Sequence, residues 1–112
     1  MTDIAQVYEE AADLIERNGW LQYVNGRTDG RGPHCLLGAL RVVYQNTKDI
    51  QDPIRMPLTT MLHREGRTPR ANYEAFFWND NLPRKNGKRT VIRALRRAAR
   101  QLREGKLCAV QE

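Results

Sequence analysis

The stretch from Lys88 to about Arg103 can satisfy both water and a protein interior only as an amphipathic helix, and that requirement constrains the rest of the chain. At ~100° per residue, Val91, Ile92, Ala94, Leu95, Ala98, Ala99 and Leu102 share one side, while Arg89, Arg93, Arg96, Arg97, Arg100 and Arg103 gather on the other. An apolar stripe of this length has to be covered by other elements. The remaining sequence must therefore supply helices or strands with apolar faces of their own.

It supplies helices. From Asp3 to Asn18 the apolar residues Ile4, Val7, Tyr8, Ala11, Leu14 and Ile15 recur at three- and four-residue spacing, with Asp3, Glu9, Glu10, Asp13, Glu16 and Arg17 on the opposite arc. Thr2 or Asp3 caps this helix, and Gly19 followed by Trp20 reads as a Schellman stop. Leu21 to Pro33 contains Asn25-Gly26 and Asp29-Gly30, both turn dipeptides, so residues 20–33 read as a minor β-hairpin or an irregular loop. Cys35 to Tyr44 is apolar around most of its circumference, the mark of a central buried helix. Gly38 inside it costs roughly 1 kcal/mol in helix propensity, which a close backbone approach would explain. Asp52-Pro53 and Met56-Pro57 are two possible helix starts, and the second is the expected one. Thr68-Pro69 opens a short helix carrying Tyr73, Phe76 and Phe77 before Trp78. Asn79 to Gly87 reads as a polar linker.

The fold class is thus all-α: one domain over residues 1–112, about five helices, with a basic amphipathic helix at the C-terminal end. Leu36, Leu37, Leu40, Phe76, Trp78, Ile92 and Leu95 are the expected core. A chain of 112 residues with 40% hydrophobic content suffices for one modest core.

Charge is distributed very unevenly. Arg84 to Lys106 carries ten Lys/Arg against the single acid Glu104, whereas the first 83 residues hold nine bases and eleven acids. The formal net charge of +6 therefore describes a near-neutral body with a cationic last segment. A face that merely solubilises mixes both signs, and like charges at i,i+4, such as Arg93-Arg97 and Arg96-Arg100, repel by a few tenths of a kcal/mol. An anionic partner would relieve that cost. The candidate binding residues are Lys85, Lys88, Arg89, Arg93, Arg96, Arg97, Arg100 and Arg103.

Two partner classes are open at this level. One is an acidic protein surface. The other is the phosphate backbone of a nucleic acid, bound with little sequence preference: arginine suits phosphates and bases, but no helix-turn-helix, zinc-finger or RNA-binding aromatic signature accompanies the patch. Membrane-surface binding fits poorly, because Ala94, Ala98 and Ala99 suit helix packing better than lipid insertion. No apolar run approaches the ~18 residues of a membrane span.

Enzyme chemistry has less support. His34-Cys35 with the distant His63 is a remote thiol–base candidate, but a cysteine opening an apolar helix is more often a small buried hydrophobe. Two histidines and two scattered cysteines, Cys35 and Cys108, give neither metal-ligand spacing nor a disulfide framework. Gly26, Gly30 and Gly32 lack the Lys-Ser/Thr ending of a phosphate loop. The expectation is a non-enzymatic protein without metal or cofactor. The Met-Thr-Asp-Ile start carries no secretory signal, and reduced thiols fit a cytoplasmic location.

Four blocks carry a resemblance: AADLIERNGWLQ (11–22), CLLGAL (35–40), WND (78–80) and RTVIRALRRAA (89–99). In these the chain resembles small proteins of actinobacteria and their phages, catalogued as domain of unknown function six thousand one hundred and ninety-seven. The spacer between WND and the last block is longer and more basic here than is usual in that family. The resemblance implies a helical fold and an actinobacterial or phage origin, with the host cytoplasm as location if phage-encoded. It brings no catalytic residues.

Overall fold

The computed structural model describes residues 3–44 and 52–108. Five helices form in the order α1 (Ile4–Asn18), α2 (Leu36–Tyr44), α3 (Asp52–Arg64), α4 (Ala75–Asp80) and α5 (Arg84–Arg103). The architecture is all-α, a single globule of 33 × 30 × 22 Å.

α1 and α5 make the main seam. Ala11 and Ala12 of α1 and Ala94, Ala98 and Ala99 of α5 are all fully enclosed, and such small side chains let two helices approach closely. Larger residues, Tyr8, Ile15 and Leu95, are likewise fully enclosed. α2 lies against α1, and α3 against α5; α4 bridges α2 and α3. α1 begins where its sequence says it should: Asp3 Oδ1 accepts from the Gln6 amide at 3.0 Å, satisfying one of the open N–H groups of the first turn.

Residues 20–33 form an irregular loop, with isolated bridges from His34 to Trp20 and to Gly26, rather than a hairpin. The reason lies in what the loop binds. Gln22 Nε2 donates to the carbonyls of Asn79, Asp80 and Leu82 at 2.8–3.1 Å, and the Tyr23 amide donates to Asp80 Oδ1 at 2.8 Å. The loop thus turns toward the α4 end. Asn25 approaches α2 so closely that a Cβ on Gly38 would fall on its carbonyl oxygen, which accounts for a glycine inside that helix.

The WND block is the loop's anchor. Asn79 is fully buried; its Oδ1 accepts from Trp20 Nε1 at 2.7 Å and from the Leu36 amide at 3.2 Å, while its Nδ2 donates to the Leu21 carbonyl at 3.2 Å. One amide thereby ties α4 to the loop and to the start of α2. The ring of Trp20 reaches on to α5, where a Cβ on Gly87 would collide with it.

Two helix starts differ from the sequence expectation. α3 begins at Asp52, the first proline signal, and contains Pro57. A proline there disrupts the i→i−4 ladder. Tyr8 inserts its hydroxyl into the disrupted turn: it donates to the Ile54 carbonyl and accepts from the Leu58 amide at 3.1 Å, so both groups are satisfied. Burial pushes the Tyr8 phenol well above its ordinary value, only partly offset by the Leu58 amide. The segment after Thr68-Pro69 is turn rather than helix, with Thr68 Oγ1 donating to the Arg70 carbonyl at 3.3 Å. Of the expected core, Leu36, Leu40, Trp78 and Leu95 are buried, whereas Leu37, Phe76 and Ile92 are only half-buried. No helix among the described residues is long and apolar enough to cross a membrane.

Candidate interaction face on the last helix

α5 is longer than its pattern implies. It starts at Arg84, with Pro83 extended in the N-cap position (φ −60°, ψ 136°), so Lys85 lies on the helix and not in a linker. Asn86-Gly87 signalled a turn, but Gly87 is required here for room against Trp20, and its helical neighbours carry the propensity cost. Pro83 offers no side-chain cap, and the first turn holds no acid. Cations therefore crowd the positive end of the helix dipole, an arrangement that costs about 0.3–1 kcal/mol per charge at close range.

The arginines of α5 fall into two groups. Arg96 is held by three carboxylates of α1: Glu9 at 3.1 Å, Asp13 at 2.9 Å and Glu16 at 2.9 Å. Partial burial works against its charge, but the hydrogen bonds it donates to Asp13, Glu9 and Glu16 outweigh this and raise its pKa. Arg97 grips Glu65 bidentately, with both contacts at 2.9 Å, and Arg67 shares the same carboxylate at 2.9 Å. Burial would push the Glu65 carboxyl up, yet the hydrogen bonds from Arg97 and Arg67 leave it below its ordinary value. Arg103 reaches Glu9 at 3.1 Å and Gln6 Oε1 at 3.3 Å. Lys88 Nζ donates to the Glu16 carbonyl at 3.2 Å, a cation at the negative end of α1.

Lys85, Arg89, Arg93 and Arg100 form the second group. All four are exposed, and none makes an ion pair among the described residues. Arg84 at the first helical position is likewise exposed without an ion pair among the described residues. The four line the outermost arc of the helix over about 22 Å, at 1.5 Å rise per residue. Beside them, between Glu16 of α1 and the Lys85–Arg96 part of α5, runs an open groove of about 530 Å³.

The cationic periodicity of α5 was visible in sequence; its counter-charges were not. Glu9, Asp13 and Glu16 read as a solvated arc of α1, although their spacing forms a stripe along one edge. Only the packing of α1 on α5 turns that stripe into the partner of Arg96 and Arg103.

The thiol–base candidate is not assembled. Cys35 is buried, donates to Asn25 Oδ1 at 3.3 Å and accepts from the Gly38 amide at 3.3 Å. Burial raises its pKa, which disfavours the thiolate. His34 is fully enclosed, with Nε2 at 2.6 Å from the Arg27 carbonyl, so that nitrogen carries the proton. His63 is exposed on the last turn of α3. Among the described residues no group of three or more His, Cys, Asp or Glu side chains is placed to hold a metal ion.

Fold and face together describe a small all-helical domain with a cationic outer helix. The chain belongs to a family of unknown function (DUF6197), whose model matches residues 1–101. That span takes in the WND anchor, the Gly38 crossing and nearly all of α5. No similarity to a curated protein or to a solved structure was found.

Proposed function

We propose that this protein is a non-enzymatic binding module whose α5 face engages an acidic surface of another protein. An actinobacterial or phage origin would make a host protein in the cytoplasm the natural partner. The observation that carries the proposal is the outward row Lys85, Arg89, Arg93 and Arg100, left without counter-charges among the described residues on a helix whose Arg96, Arg97 and Arg103 are paired. An acidic surface would neutralise this row and the uncapped positive end of the helix together. Glu16 at the rim of the groove and the lack of aromatic side chains along it favour a protein over a nucleic acid, whose bases would want stacking partners.

A salt titration with polyglutamate and with mixed-sequence duplex DNA tests it. The expected result is saturable polyglutamate binding that weakens with salt and is lost in Arg89→Glu/Arg93→Glu. DNA binding that is tighter than polyglutamate binding, with a log–log salt slope that flattens by about 1 for each arginine removed, would transfer the face to nucleic acid and overturn the protein-partner function.

A further inference from the structure

Ile92 is the one large apolar side chain of the groove beside α5, and its neighbourhood is unusual. It is half-buried rather than enclosed. Lys88 and Arg96 stand four residues before and after it on the same helix row, and Arg89 and Arg93 flank it on the outer side. Glu16 closes the far wall, occupied with Arg96 at 2.9 Å. The groove thus has an apolar floor framed by cations about 6 Å away along the helix axis.

We infer, on the basis of the acidic-partner function proposed above, that the groove takes an acidic amphipathic segment of another protein, seating one apolar side chain on Ile92 between carboxylates. Charge complementarity selects the flanks of that segment. Arg89 and Arg93 make no ion pair among the described residues, the nearby Glu16 being engaged with Arg96, so the incoming carboxylates meet them without first displacing an internal ion pair. The apolar contact selects the centre: a polyanion without an apolar projection, whether polyglutamate or a phosphodiester backbone, leaves Ile92 facing water. Helix-in-groove recognition works in this way, with charged residues setting orientation and a buried apolar anchor setting lifetime. The groove's volume of about 530 Å³ accommodates such an anchor and its neighbours.

The experiment uses the full chain and two synthetic helical peptides, identical except at the centre. One carries Leu with Glu four residues to either side; the other carries Ser in place of the Leu. The Leu peptide is expected to bind about fivefold to tenfold more tightly, the gain from partly burying one leucine. Ile92→Ser should abolish that difference while leaving the affinity for polyglutamate unchanged. Because Ile92 also leans on the core, a second readout uses the unaltered protein: the Ile92 δ1-methyl resonance should shift with the Leu peptide and stay in place with polyglutamate. Equal binding of the two peptides, with an unmoved methyl signal, overturns the inference and leaves the acidic-partner function standing. Failure of both peptides at low salt, with duplex DNA bound, overturns that function itself and the inference with it.

Discussion

The two halves of α5 carry similar numbers of cations and put them to different uses. In the C-terminal half Arg96, Arg97 and Arg103 turn sideways, onto the acids of α1 and onto Glu65 just beyond α3, so much of the charge there is internal to the fold. In the N-terminal half Lys85, Arg89 and Arg93 point outward and make no ion pair among the described residues, Glu16 across the groove being taken up by Arg96. The contrast teaches that charge density alone does not locate a binding surface. What distinguishes the halves is whether the neighbouring helix edge carries the opposite sign.

Variants ordered by expected effect can break or sharpen this contrast. The inner face is common to both halves, and Leu95 lies at its centre with no exposure. Leu95→Ala should cost about 3 kcal/mol, the transfer of the lost methyl groups plus the cavity left behind, measured by urea unfolding. Gly87→Ala acts on the N-terminal half alone. Alanine gains nearly 1 kcal/mol in helix propensity, but its methyl would overlap the Trp20 ring, and overpacking costs about 1–3 kcal/mol. A net loss of about 1–2 kcal/mol is expected, and a stabilised variant would show that Trp20 does not seat this half.

Arg96→Ala removes contacts to three carboxylates and leaves those acids facing one another. The guanidinium is 37% exposed, so screening keeps the expected loss near 1 kcal/mol, and high salt should shrink it. Acid should act in the same place. The Glu65 carboxyl sits below its ordinary value, so its contribution is complete above the unfolded-state pKa of about 4.5 and is lost as pH falls through the lower native one. The acid limb of stability against pH should therefore flatten in Arg97→Ala. An unchanged limb would mean that the pair contributes nothing.

The helices were largely legible in the sequence but the division of α5 was not, and the difference has physical causes. Helical periodicity placed α1 and the arginine-bearing face of α5 from Lys88 onward, and an apolar circumference placed α2, because these are local properties. The linker reading of residues 79–87 hides the start of α5, because Gly87 reflects a missing Cβ that makes space for a tryptophan 67 residues earlier in the chain. Pro57 read as a helix start because nothing local reveals that Tyr8, 49 residues away in sequence, bonds the turn it disrupts. Asn79 reads as the start of a polar linker, whereas its buried amide bonds Trp20, Leu21 and the start of α2. The pairing of Arg96 with three acids depends on which edge of α1 meets α5, a tertiary choice that no window of sequence contains.

The claim that α5 is divided between holding the fold and meeting a partner is tested most directly by one paired measurement on two variants. Thermal midpoint and affinity for polyglutamate are recorded for Arg96→Ala and for Arg89→Glu/Arg93→Glu. The account predicts that Arg96→Ala lowers the midpoint by about 4 °C or more and keeps at least half of the native affinity. It predicts that Arg89→Glu/Arg93→Glu leaves the midpoint nearly unchanged, since exposed substitutions of this kind stay within about 0.5 kcal/mol, and loses binding at least tenfold. The opposite pattern, with binding lost in Arg96→Ala and retained in the charge-reversed variant, would contradict the division.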